Sequence, residues 1–350
     1  MPLISSLGVM NAINFGVSSL LVKPIKALLI ANSTATSPSI VAYNWDESSG
    51  FGSVISHSIT TNYYKIVKFS SDTSYVALST GAGLDVYPWS TSFGFGTKFA
   101  AGSIGVPSIT SIDFGTNEIG YTNGGSSSYF NVVKWSSAGF GSIVGNPSSP
   151  AASNPRSIVF SRGRTFIVIV SDAVPRIYGF PYSSSTGFGT RASHGGLSLT
   201  QSISSDSSSL RPSTTQRLAI GLSSTPFMAY TGLLDTGFDA AGGTPATSIA
   251  MSVEGTVQTS ADLFFVGSST TVAAYKWSGL TRYTNSSSSL ENSAKAIDVN
   301  GTSNCLGIAL AGSPNIAAYK WVNNTGFGTK FTAPSSLPND GNSNSISFSY

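Results

Sequence analysis

Charged side chains are scarce in this chain: 18 basic and 15 acidic residues make up 9% of 350, where an ordinary soluble domain carries about a quarter. The resulting net charge of +3 is too weak a field to argue for a nucleic-acid partner. A single cysteine, Cys305, excludes a disulfide framework, and two histidines, His57 and His194, leave almost nothing for a zinc site or a histidine-based catalytic apparatus. No run reaches the roughly 18 apolar residues of a membrane helix, so a soluble chain without membrane insertion is expected. The opening residues lack the basic start and small-residue cleavage pattern of a secretory signal. Together these absences disfavour most enzyme classes, and the expectation is a non-enzymatic chain with no cofactor and no metal.

What is present is a polar surface made of Ser, Thr, Asn and Gly around a normal hydrophobic share of 40%. The 37 glycines and 16 prolines stay below the roughly 25–30% that marks disorder, so a packed core is within reach. A repeat organises that core. Related phrases such as VAYNWDESSGFGSVI, DVYPWSTSFGFGTKF and AAYKWVNNTGFGTKF anchor at positions 45, 89, 135, 182, 232, 277 and 321, spaced by 44 to 50 residues. Tyr182 and Gly232 stand where the other units have tryptophan. Within a unit, short alternating or apolar runs separated by Ser/Gly/Asn turns read as four strands and not as helices. The second unit shows them as KIVKFS, YVALST, LDVYPW and FGTKFA.

Four antiparallel strands in about 46 residues are the signature of a propeller blade. The expected fold is therefore all-β: a seven-bladed β-propeller of four-stranded antiparallel blades over residues 27–350, preceded by an N-terminal docking segment, 1–26. The first unit begins at its second strand, ALLIAN, and the chain finishes on SISFSY, which matches the inner strands SIDFG and SIVFS of other units. The C-terminal strand should complete the first blade and remove an open edge. In the fifth unit SISSD is expected as inner strand, followed by an enlarged turn through SSSLRPSTTQ.

The pattern Y-x-W, then G-F-G-T-K-F, then an S-I-x-F-S inner strand, resembles the WD40-like propeller repeats of bacteriophage tail and other virion proteins. It departs from WD40 repeats in lacking their Gly-His pair, and only Trp45-Asp46 gives the Trp-Asp dipeptide. The resemblance implies a non-enzymatic structural virion protein, associated with tail or capsid, located on the phage particle and presenting a propeller for host attachment. A glycan-binding lectin-type adhesin using the inter-blade loops is the alternative.

Site candidates follow. Leu3, Ile4, Leu7, Met10, Ile13 and Phe15 form an apolar set outside the repeat, expected to dock on other virion proteins. Arg156, Arg162, Arg164, Arg176, Arg191 and Arg211 concentrate around the fourth unit, a candidate patch for a host protein or anionic glycan. The tryptophans are expected to seal blade against blade rather than stack on sugars. The Gly-Phe-Gly triplets read as turns and strand starts, with Phe plugging the gap between blades. Asp113, Asp298 and Lys68 occupy equivalent inner-strand positions, predicting an ion pair between neighbouring blades near the channel. Asp46-Glu47, in the turn after the first tryptophan, is a paired-acid candidate for glycosidase chemistry, but neighbours on a strand point to opposite faces.

Overall fold

A computed structural model describes residues 26–349 apart from 33–38, 60–63, 91, 100–103, 105–107, 125–129, 146, 148–154, 162–163, 172–176, 192–202, 213–215, 223–227, 232, 235–236, 239–240, 244–252, 261–262, 269, 277–280, 301–303, 323–324 and 336–342. The six apolar candidates of the N-terminal segment, and Arg162 and Arg176, lie outside the described residues. No helix occurs among the described residues; strands account for the regular structure.

The strands assemble into four-stranded antiparallel sheets in chain order. The second sheet joins Tyr64–Phe69, Tyr75–Thr80, Leu84–Ser90 and Gly94–Phe95; the third joins Ile109–Phe114, Glu118–Asn123, Phe130–Ser136 and Gly139–Val144. Pro155–Phe160, Phe166–Ser171, Ile177–Ser183 and Gly187–Phe188 make the fourth. The fifth and sixth open with Ile203–Pro212 and Val253–Ser260, and the seventh joins Ala294–Val299, Cys305–Leu310, Ile316–Val322 and Gly326–Lys330. The first sheet is composite: Lys26–Asn32, Ile40–Asp46 and Gly50–Val54 are completed by the C-terminal strand Ser343–Phe348, paired antiparallel through Leu28↔Phe348 and Ile30↔Ile346. The leading strands of successive sheets touch one another in cyclic order, and Ser343–Phe348 lies between those of the seventh and second sheets. The architecture is that of a multi-bladed β-propeller.

The chain ends rebuild a turn that other sheets make covalently. In the second sheet Ser70 follows the inner strand and its Oγ accepts from Tyr75 N (3.0 Å); Ser161 does the same for Phe166 N (3.1 Å). In the first sheet Ser349 Oγ accepts from Ala27 N (2.6 Å), and Ser349 N donates to Ala27 O (2.8 Å). The last serine of the S-I-x-F-S pattern is thus a strand cap, satisfying an amide that would otherwise be buried without a partner.

Aromatic residues close the gaps between sheets. Trp45 packs with Cys305, Ala309 and Phe331 of the seventh unit, Trp89 with Ala27, Leu29 and Ile55 of the first, and Trp135 with Tyr75 and Phe99 of the second. Trp321 meets Phe265 and Tyr283 of the sixth, and Tyr182 meets Phe130 and Val144 of the third. Trp45 makes edge contacts at 5.1–5.2 Å with Phe51, Phe331 and Phe348, each such pair contributing about 0.5–1.5 kcal/mol beyond burial. The first glycine of each described Gly-Phe-Gly has positive φ, from 74° at Gly94 to 108° at Gly139, so the triplet begins on a conformation that favours glycine. Trp277 lies outside the described residues.

Two strand expectations need correction. FGTKFA of the second unit shrinks to Gly94–Phe95, and the fourth sheet ends likewise on Gly187–Phe188, whereas the outer strands of the first, third and seventh sheets have 5, 6 and 5 residues. The short ones face Pro88 and Pro181; the longer ones face Asn44, Lys134 and Lys320 at the same place. The neighbouring tryptophan amide points inward, Trp89 N donating to Ser74 O (2.7 Å), so the missing proline N–H is the donor the outer strand needed. In the fifth unit the enlarged turn is mostly strand: Ile203–Pro212 runs through SSSLRP and pairs with Gln216–Leu222. The extra residues sit in a bulge between Ile203 and Ser208, since a bulge absorbs insertions without giving up the rest of the ladder.

Candidate functional site

The inner strands present their free edges to the channel, and each edge amide needs an acceptor. The preceding sheet supplies it from a fixed register position. Ser347 Oγ accepts from Phe69 N (3.3 Å), Asp113 Oδ2 from Phe160 N (2.8 Å) and Asp298 Oδ2 from Phe348 N (2.8 Å). One turn of the pleat earlier, Ser345 Oγ accepts from Val67 N (3.2 Å) and Ser111 Oγ from Ile158 N (3.3 Å). Small oxygen-bearing side chains recur on these strands because they staple one inner strand to the next.

Lys68 breaks that pattern. It stands at the stapling position of the second sheet and offers no acceptor to Phe114 N. Asp113 compensates: its carboxylate accepts from Phe114 N as well as from Phe160 N. Burial raises the Asp113 pKa above the ordinary carboxylate value, against the attraction of Lys68, these two amides and Arg164. The predicted ion pair is replaced by this arrangement, in which Lys68 attracts Asp113 across a gap and the direct contacts go to backbone amides. Asp298 likewise uses its carboxylate on a backbone amide, because an edge amide in a fixed register is the nearest donor.

Arg164 reaches the same end of the channel from the fourth sheet. It occupies the left-handed position, φ 55°, of a turn in which Arg164 N donates to Ser161 O (2.9 Å). Thr73 takes the equivalent place in the second sheet, φ 57°, with Thr73 N donating to Ser70 O (2.9 Å). The Arg164 guanidinium then reaches the turn of the second sheet, its Nη2 donating to Ser71 Oγ at 2.9 Å. Lys68, Asp113 and Arg164 are each partly accessible. A carboxylate of raised basicity thus lies within the electrostatic reach of two cations, Lys68 and Arg164.

The described arginines of the patch are spread over different elements. Arg156 stands at the second position of the strand Pro155–Phe160 and Arg164 in the turn after its far end. Arg191 is exposed, with its guanidinium 5.7 Å from the Tyr178 ring centre, and Arg211 lies on the strand Ile203–Pro212. Asp46 and Glu47 also part company. Asp46 Oδ1 caps Ser48 N (2.9 Å) and Ser49 N (3.0 Å), while Glu47 accepts from Lys26, Asn300 (3.0 Å) and Asn304 (2.9 Å). That network bridges the first and seventh sheets beside Cys305, whose thiol is pushed up to about 12 by burial and by Glu47. No group of three or more metal-ligating side chains occurs among the described residues.

No protein-family model matches the chain, and no curated protein is detectably similar in sequence. Solved structures are similar over its length. A protein of Bacteroides fragilis described as a candidate 6-phosphogluconolactonase aligns with TM-score 0.72 and 10% identity, covering 94% of this chain and 99% of its own. A second so described, from Bacteroides uniformis, gives 0.72 and 13%, covering 93% and 100%. The periplasmic gluconolactonase of Pseudomonas aeruginosa gives 0.67 and 12%, covering 93% and 99%. At these identities the likeness shows the fold alone. It nonetheless overturns the expectation of a non-enzymatic phage virion component. That expectation rested on repeat resemblance, and the full-length resemblance leads to proteins named for lactone hydrolysis.

Proposed function

We propose that the chain is a seven-bladed propeller that hydrolyses the lactone of a sugar acid at the channel rim where Lys68, Asp113 and Arg164 meet. The observation that carries this reading is the Asp113 carboxylate on a half-buried residue, made more basic by burial, held by two amides and attracted by Lys68 and Arg164. The names of the structural neighbours support the substrate class. The scarcity of histidine is no obstacle, because a desolvated carboxylate of raised pKa serves as general base.

In the proposed reaction Asp113 takes a proton from water as the water oxygen bonds to the lactone carbonyl carbon. Negative charge gathers on the carbonyl oxygen, where the Lys68 ammonium stabilises it. The tetrahedral species collapses by breaking the bond from that carbon to the ring oxygen, which takes the proton back from Asp113. The product is the open hydroxy acid. The test is pH-stat titration of acid release from δ-gluconolactone and its 6-phosphate, corrected for spontaneous opening. Saturable acceleration by the full chain, lost in Asp113→Asn with the thermal transition retained, supports the reading. Rates equal to buffer with both lactones refute it.

A further inference from the structure

We infer that Ser71 is a positioning residue for Arg164, and that their hydrogen bond across the third sheet makes an oxyanion clamp at the channel rim. The inference rests on the channel rim being the binding site of the proposed lactone hydrolysis and adds which group recognises an anionic substituent.

Several independent features of the molecule meet here. Arg164 occupies a left-handed turn position, φ 55°, which Thr73 shares in the matching turn at φ 57°, so the repeated turn fixes where the arginine side chain leaves the backbone. Ser161 holds the Arg164 turn, through Arg164 N to Ser161 O and Phe166 N to Ser161 Oγ. The matching turn of the second sheet, built on Ser70, delivers Ser71 to the guanidinium from two sheets away. Only Nη2 of the guanidinium is committed to Ser71, at 2.9 Å. A guanidinium carries five N–H donors, so this anchor leaves a fork for a phosphate or carboxylate. Holding a long side chain in its binding geometry removes part of the ordering cost of ligand capture. Lys68 adds a second positive charge within reach of the same carboxylate that Arg164 attracts.

Calorimetric titration of the full chain with inorganic phosphate, and separately with gluconate, tests the clamp and tells the two oxyanion sources apart. Arg164→Gln should weaken binding of the recognised anion at least tenfold. Ser71→Ala should weaken it three- to tenfold, Ser71→Thr should restore it to within twofold, and Arg191→Gln should leave it unchanged. With the phosphorylated lactone, Ser71→Ala should raise KM and leave kcat unchanged; with the neutral lactone it should change neither. Equal loss on both lactones, unchanged affinity in Ser71→Ala, or no anion binding by the wild-type chain would overturn the clamp. Anion binding that follows this pattern without lactone hydrolysis would keep the clamp and sink the proposed reaction. Hydrolysis without anion binding would do the reverse.

Discussion

The junction of the seventh and first sheets and the channel rim of the second to fourth sheets use the same parts to different ends. Each has an aspartate at the same register position, Asp298 or Asp113, accepting at 2.8 Å from the phenylalanine amide of the next inner strand. At the junction the following stapling residue is Ser347, Asp298 is 6% exposed, and nearby polar groups are absorbed into the Glu47, Lys26, Asn300 and Asn304 network. At the rim the preceding stapling residue is Lys68, Asp113 is left partly open, and Arg164 is drawn across from another turn. One aspartate is a staple, the other a staple with chemistry to spare. The comparison teaches that the neighbours of a repeated position, and not the position, decide how deeply its carboxylate is buried and which charges it meets.

The sharpest way to break the comparison is to remove the closing strand. Truncation before Ser343 exposes the edge of Lys26–Asn32 and removes Ile346 and Phe348 from the seventh-to-first core, so the cooperative thermal transition should vanish and the chain should aggregate. A cooperative transition near the wild-type temperature would show that the junction is not what closes the ring.

Next in size is thiol chemistry at the junction. With a pKa of about 12, Cys305 is roughly one part in ten thousand thiolate at pH 8, and it is fully buried. Its alkylation by iodoacetamide should be on the order of a thousandfold slower than that of an exposed cysteine, and should match it after unfolding in guanidinium. Fast labelling of the folded chain would mean that the junction opens.

The two aspartates then separate by variant. Asp113→Asn should lower kcat/KM for lactone hydrolysis about a hundredfold or more. In the wild-type chain the acid limb of the pH profile should lie above the ordinary carboxylate range, because the Asp113 pKa is raised and the base acts only when deprotonated. The same shift makes folding stability fall as pH rises from the unfolded carboxylate value through the folded one, since the folded state holds the proton longer. Asp298→Ala should instead cost about 1–3 kcal/mol of stability, by leaving Phe348 N without its acceptor, and should spare kcat. If Asp298→Ala abolished turnover while Asp113→Asn spared it, the roles assigned to the two sites would be reversed.

Much of the fold can be read along the chain. The spacing of Trp45, Trp89, Trp135 and Trp321, the glycines that follow them and the serine that ends SISFS imply sheets, turns and the vacancy filled by Ser343–Phe348. Each is a local demand repeated several times, and repetition averages out the ambiguity of a short strand. The short outer strands opposite Pro88 and Pro181 are marked in the sequence as well, by the donor that a proline lacks. The bulge after Ile203 is not, since a serine run states no preference between turn and strand. The channel rim is only half legible: Lys68 and Asp113 show as equivalent positions, but nothing in the sequence separates Arg164 from the arginines around it. Nothing in sequence marks the left-handed turn or the Ser71 contact, because Ser71 and Arg164 are separated by 93 residues.

Local physics by itself determined most of the strands, their order and the way the chain ends meet, since these follow from alternation, turn chemistry and the need to satisfy edge amides. Tertiary structure alone decided which charges share a neighbourhood. A carboxylate's basicity depends on how much water and which charges surround it in three dimensions, and at Asp113 those come from the second and fourth sheets, whose residues are distant along the chain.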